Sequence, residues 1–161
     1  MPVKYFHRME VDNPYLKELD GMLTRYIVSI AKLVTDQSRE RMKKKKAPID
    51  IDQLPVFMCI FLMGELTQQE IAVLINRDKS SVKRTIALLQ KKGLIVVSPH
   101  LTDKRKTIVS TTDTGNFVAE QVRKEMRNTE SSLFSFLDKK EKSKLLATLK
   151  SVYGNLLSSA H

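Results

Sequence analysis

The chain has 161 residues, of which 42% are apolar, with only five Gly and five Pro and a formal net charge of +10. That length holds one compact domain, or a small core with helical extensions, and leaves no room for two large independent domains. The apolar content excludes a disordered chain and points to a helix-rich globular protein.

The charge is informative through its position. Arg77 to Lys106 holds nine basic and two acidic residues, a net +7, so most of the surplus sits in one stretch. A merely solvated surface mixes its signs, as the remainder of the chain does, whereas one-sided charge suits a polyanion partner. The longest apolar run, Val56 to Met63, is too short to span a bilayer, and the amino terminus MPVKYFHRMEVDN lacks the apolar stretch of a secretory signal. No membrane association is expected, and the chain reads as soluble and cytoplasmic. A single cysteine, Cys59, excludes an internal disulfide.

In chain order, Asn13 and Pro14 supply a cap and a first-turn proline. Leu16, Leu19, Leu23, Tyr26, Ile30, Leu33 and Val34 then recur at helical spacing. This predicts one long amphipathic helix ending in or just after the lysine run Lys43 to Lys46, before Pro48. For that run a solvated helix end is a simpler reading than a phosphate contact. Asp52 is expected to cap a second helix through VFMCIFLM, with Pro55 in its opening turn and Gly64 as its stop. Being apolar on nearly every side, that helix should be buried, with Cys59 as a packing group of raised pKa rather than a redox sensor.

Thr67 and Glu70 form a capping-box pattern for a third helix with Ile71, Leu74 and Ile75 facing inward. Asn76 and Arg77 make a turn. Asp78 then caps a fourth helix whose buried stripe is Val82, Thr85, Ile86 and Leu89, stopped by Gly93. Ser80, Arg84, Ala87 and Lys91 lie opposite that stripe, flanked by Lys83. Short hydroxyl and long cationic donors near a helix start suit base edges and phosphates in a major groove. Arg84 can pair with guanine in a bidentate manner; Lys79, Ser81 and Lys83 better suit phosphates, and for Ser81 a capping role at the third helical position competes equally.

Leu94 to Ser98 and Thr107 to Ser110 read as a β-hairpin whose loop carries Asp103, Lys104, Arg105 and Lys106. Directly after a basic helix this is a wing, and its basic tip can enter a narrow minor groove. Thr112 is expected to cap a fifth helix with Phe117, Val118, Val122, Met126, Leu133 and Phe134. Asp138 and Glu141 cap a sixth with Leu145, Leu146, Leu149, Val152, Tyr153 and Leu156. These stripes exceed what so small a core can bury, which predicts a homodimer whose symmetry matches two DNA half-sites.

The reading is therefore a mainly α (α+β) fold, a winged helix-turn-helix with long N- and C-terminal dimerisation helices. Its expected regions are 1–47 for N-terminal dimerisation, 48–111 for the winged helix-turn-helix and 112–161 for the C-terminal dimerisation helices. The partner is double-stranded DNA. Paired carboxylates, a nucleophile with its base, a phosphate loop and metal-ligand spacing are all lacking, so neither an enzyme, a cofactor nor a metal is expected; His7, His100 and His161 stand far apart. A winged-helix module for protein interaction or DNA architecture, without sequence readout, is the competing class.

In LTQQEIAVLINRDKSSVKRTIALLQKKGLI, in the wing residues Asp103, Lys104 and Arg105, and in Thr112 with Gly115, the chain resembles the MarR (multiple-antibiotic-resistance regulator) family of dimeric winged-helix transcription regulators. Ser98 and Thr111 depart from it, where many members have arginine and leucine. The resemblance implies a transcription regulator, most often a repressor, that binds a palindromic operator. It implies that Arg105 reads the minor groove, that Asp103 holds the wing, and that the Ser80 to Arg84 face enters the major groove. It further implies release by a small aromatic effector; Met22, Tyr26 and Met63 could line such a site, although Met and Tyr at helical spacing are more often core.

Overall fold

The computed structural model describes Pro14, residues 18–100, Thr102, Asp103 and residues 106–159. These fall into two units, divided between Leu54 and Pro55.

In the first unit, α1 spans Leu23–Lys44. It starts later than the Asn13–Pro14 signal predicts; Pro14 and Glu18 are helical, but Leu19 to Gly21 form a turn, and Asn13 and Leu16 lie outside the described residues. The interruption has a local cause. Met22 N donates to Leu19 O at 3.0 Å, and the Asp20 carboxylate accepts from Arg25 Nη1 at 2.9 Å and from the Tyr26 hydroxyl at 2.5 Å. A short acidic side chain that bonds forward in this way begins a helix more readily than it continues one. At the other end Arg41, Lys43 and Lys44 occupy the last turn, where cations meet the negative end of the helix dipole. Lys46 follows in the left-handed region at φ 52°. No residue of α1 is buried within the chain.

A single 3₁₀ turn, Ile51–Gln53, leads out of this unit, and its cap is Asp50 rather than Asp52. Asp50 and Gln53 bond reciprocally as a capping box. Were Asp52 the cap, its third helical residue would be Pro55, which has no N–H to donate. Asp52 instead faces Arg39, Oδ1 to Nη2 at 3.5 Å.

The second unit carries α2 (Leu54–Met63) beyond its first residue, then β1 (Leu66–Thr67), α3 (Gln68–Leu74), α4 (Lys79–Lys91), β2 (Ile95–Pro99), β3 (Thr107–Thr111), α5 (Asp113–Leu133) and α6 (Lys139–Ser159). The three strands form an antiparallel sheet in the order β1-β3-β2, with Leu66 and Val97 both opposite Val109. The two-residue strand β1 has no signal in the sequence, being too short to show alternation.

Phe57, Ile60, Ile71, Val82, Leu89, Leu94 and Val109 are fully enclosed, so α2, α3, α4 and the sheet share one core. Each such side chain contributes about 1.5–3 kcal/mol through burial. Gly64 ends α2 at φ 84°, as its sequence position predicts. The last turn of that helix is not buried, however: Leu62 and Met63 are about three-fifths exposed. In α3 the inward residues are Ile71 and Ala72, and Leu74 is exposed. Ile71 is buried and Ile75 half-buried as expected, and Ala72 takes the inward place expected of Leu74.

The junction of wing and α5 is tight. Thr112 caps α5 by accepting Gly115 N at 3.0 Å, while its hydroxyl donates to Gly93 O at 2.7 Å and its amide to Leu94 O at 3.1 Å. A Cβ added at Gly115 would lie 1.9 Å from Leu94 O, a backbone atom that cannot swing aside. Beyond that point α5 buries only Ala119 and Val122, leaving Phe117 and Met126 exposed, and α6 buries nothing within the chain although Asp138 and Glu141 cap it as expected.

Gly115→Ala is therefore expected to destabilise the protein by about 3 kcal/mol or more, the upper end of overpacking effects. Thr112→Ala, which removes a helix cap, should cost about 1–2 kcal/mol. Urea titrations followed by circular dichroism check both, and equal midpoints for Gly115→Ala and wild type would contradict the close approach.

A candidate nucleic-acid interface

α4 is held at its start by two side chains. Asp78 accepts Ser81 N at 2.8 Å through Oδ1, and Gln68, at the first position of α3, donates from Nε2 to Lys79 O at 2.8 Å. The cap was legible in the sequence; Gln68 was not, because its partner is a backbone carbonyl eleven residues away. Val82, Thr85, Ile86 and Leu89 turn inward as their spacing requires. Thr85 satisfies its hydroxyl on Ser81 O at 3.1 Å. Lys79, Ser80, Lys83, Arg84, Ala87 and Lys91 are all exposed, and Ser81 is half-buried. Five of these side chains are thus displayed along one rod, with Lys83 at its flank.

Two expectations about the hydroxyls change. Ser81 takes part in the cap through its backbone amide, so its side chain is not what closes the helix start. Ser80 is not a spare donor, because its hydroxyl proton goes to Asp78 Oδ1 at 2.6 Å.

The wing follows from the β2–β3 pairing, which His100 extends by donating its amide to Lys106 O at 3.0 Å. Lys106 N in turn donates to Asp103 O at 2.9 Å, and Lys106 Nζ lies 3.6 Å from Asp103 Oδ2. His100 Nδ1 accepts from Thr102 N and Asp103 N at 3.3 Å each, a turn-holding role that sequence spacing did not reveal. Asp103 is therefore a member of the turn itself. Lys104 and Arg105, the expected minor-groove residues, lie outside the described residues.

Glu70 closes the α3 capping box, accepting Thr67 N at 2.7 Å and the Thr67 hydroxyl at 2.8 Å. The amide of Thr67 holds its carboxyl below the usual range, helped by the Thr67 hydroxyl and by the charge of Lys106. Asp78 is lowered likewise, first by the Ser80 hydroxyl and then by the Ser81 amide. Burial pushes the half-buried Cys59 thiol up, which fits a packing group. Met22, Tyr26 and Met63 are about half exposed within the chain, so none is a core residue of it. His7 and His161 lie outside the described residues; among those described, no cluster of His, Cys, Asp and Glu is placed to hold a metal, and no helix is long and apolar enough to cross a membrane.

Two helices joined by a short turn, the second exposing a cationic face, with an antiparallel hairpin directly after it, define a winged helix-turn-helix. Residues 49–107 match the model of the MarR family. Among solved structures it is similar to a mutant MarR from E. coli complexed with operator DNA, at 22% identity and TM-score 0.75, covering 88% of this chain and 99% of that one. It is similar to the S. aureus MepR–DNA complex at 20% identity and TM-score 0.74, covering 83% and 98%. A SlyA-like transcription regulator from Listeria monocytogenes matches at 20% identity and TM-score 0.75, covering 84% and 89%. At these identities the likeness establishes the fold. No curated protein matches the chain in sequence.

Because both capping carboxyls are depressed in the folded state, their contribution is fully present above the ordinary carboxylate pKa and is lost as pH falls through the lowered values. Acidification below about pH 4 should therefore loosen the starts of α3 and α4. The protection of the Thr67 and Ser81 amides against exchange, followed by NMR, should fall there in the wild type, and the step at Ser81 should vanish in Asp78→Asn.

Proposed function

We propose that the protein is a homodimeric transcription regulator, a repressor, that recognises a palindromic operator in double-stranded DNA through α4 and the wing. The observation that carries this reading is the division of α4 into a buried apolar stripe and an exposed face of Lys79, Ser80, Lys83 and Arg84. A helix buried on one side and cationic on the other, fixed at its start, is what entry into a major groove demands. In this reading Arg84 pairs with guanine, Lys79 and Lys83 hold phosphates with Ser81 beside them, and Asp103 and Lys106 set the wing whose tip, Lys104 and Arg105, reaches the minor groove.

Dimerisation through the terminal helices is supported by what they leave uncovered: Ile27, Val28, Ile30 and Leu33 on α1, and Leu146, Leu149, Tyr153 and Leu156 on α6, are exposed. Exposed apolar side chains in such number mark an interaction surface. The DNA complexes among similar structures, those of MarR and MepR, agree with the choice of partner. Release of DNA by a small aromatic effector belongs to the same proposal. The net +7 of Arg77 to Lys106 counts against a module for protein docking alone.

Selection from random duplexes should enrich an inverted repeat with half-site centres about 10 bp apart, whereas a non-reading module would enrich none. On the selected duplex, Arg84→Ala should lose about 1–3 kcal/mol and relax base preference, while Lys83→Ala should weaken all duplexes alike and lower the salt slope by about one. Unchanged affinity in both variants would remove α4 from the interface.

A further inference from the structure

The start of α4 presents acceptors where hydroxyl and cationic donors were expected. A serine hydroxyl has one proton and two lone pairs. In Ser80 the proton is spent on Asp78 Oδ1 at 2.6 Å, in a short charge-assisted bond, and the same oxygen takes the Ser81 amide at 2.8 Å. The Ser80 oxygen, exposed at the beginning of the helix, therefore turns only lone pairs outward. Beside it stands a carboxylate that its own hydrogen bonds and the nearby charge of Arg84 keep ionised.

A phosphate offers only acceptors and a negative charge, so it is repelled by this pair and is left to Lys79, Lys83 and Arg84 around it. The edges of the major groove offer just two hydrogen-bond donors, the exocyclic amino groups of cytosine (N4) and adenine (N6). Guanine N7 and O6 and thymine O4 would face lone pair against lone pair. Turning the Ser80 hydroxyl outward as a donor would forfeit its charge-assisted bond to Asp78.

We propose that Ser80 is a specificity-determining residue that accepts a hydrogen bond from an exocyclic amino group of cytosine or adenine in the major groove, and that Asp78 positions it by holding its proton. This rests on the operator-binding reading above and adds a base identity to it. The pattern along α4 is then an acceptor at Ser80 one turn before a donor at Arg84, which selects an amino-bearing base near a guanine.

The experiment uses the full-length protein and the duplex enriched by the selection already described. Each cytosine of a half-site is replaced in turn by a 2-pyrimidinone nucleoside, which lacks the 4-amino group, and each adenine by unsubstituted purine, which lacks the 6-amino group. The expected result is one position per half-site where removal of the amino group lowers wild-type affinity roughly tenfold. At that position Ser80→Ala should be affected less than about twofold, and Ser80→Thr, which keeps the hydroxyl, should regain the sensitivity. A pyrimidinone effect identifies cytosine and a purine effect identifies adenine. Retained affinity of Ser80→Ala for an unrelated duplex shows that the variant is folded. An enriched operator without any such position, or with equal sensitivity in wild type and Ser80→Ala, overturns the role of Ser80 while leaving sequence-specific binding intact. Failure to enrich any motif overturns both.

Discussion

One helix has to be gripped by the core along one side and left bare along the other, and the geometry of this protein depends on how α4 meets that requirement. Four inward residues at steps of three and four, Val82, Thr85, Ile86 and Leu89, provide the grip. Burial alone lets a helix slide or rotate slightly about its contacts, so the start is pinned separately by Asp78 from within and by Gln68 from α3. A displayed side chain is only as well placed as the backbone beneath it. The two hydrogen bonds at Lys79 and Ser81 set the placement of everything on the outer face.

The core and the caps were readable from the chain because they are local. The Thr67–Glu70, Asp78–Ser81, Thr112–Gly115 and Asp138–Glu141 relationships each lie within three residues, and the apolar spacing of α4 predicts its buried stripe residue by residue. What escaped the reading depends on distance in sequence or on competition between signals. β1 is defined by pairing with residues some forty positions later, Gln68 by a carbonyl on the next helix, and the start of α1 by a turn at Leu19 to Gly21 that interrupts the expected single helix. The misassigned cap at Asp52 is instructive, since the missing N–H of Pro55 was visible all along.

The residues of the exposed α4 face were legible as a set but not in their chemistry. Charge and spacing place Lys79, Ser80, Lys83 and Arg84 on one face, yet composition treats a serine as donor and acceptor alike. Only the position of the Asp78 carboxylate shows which half of that capacity is already used. The same holds in the wing, where His100 looked like an isolated histidine and in fact receives two backbone amides.

The middle place of β3 in the sheet carries a mechanical consequence. Val109 faces Leu66 on one side and Val97 on the other, and the adjoining Thr67 both pairs with Ile108 and caps α3. A single strand is thereby the common spine of the hairpin and of the entrance to the helical pair. Any tilt imposed on the hairpin is passed along that spine to the first turn of α3, and through Gln68 to the beginning of α4, so hairpin and helix are mechanically one lever rather than two.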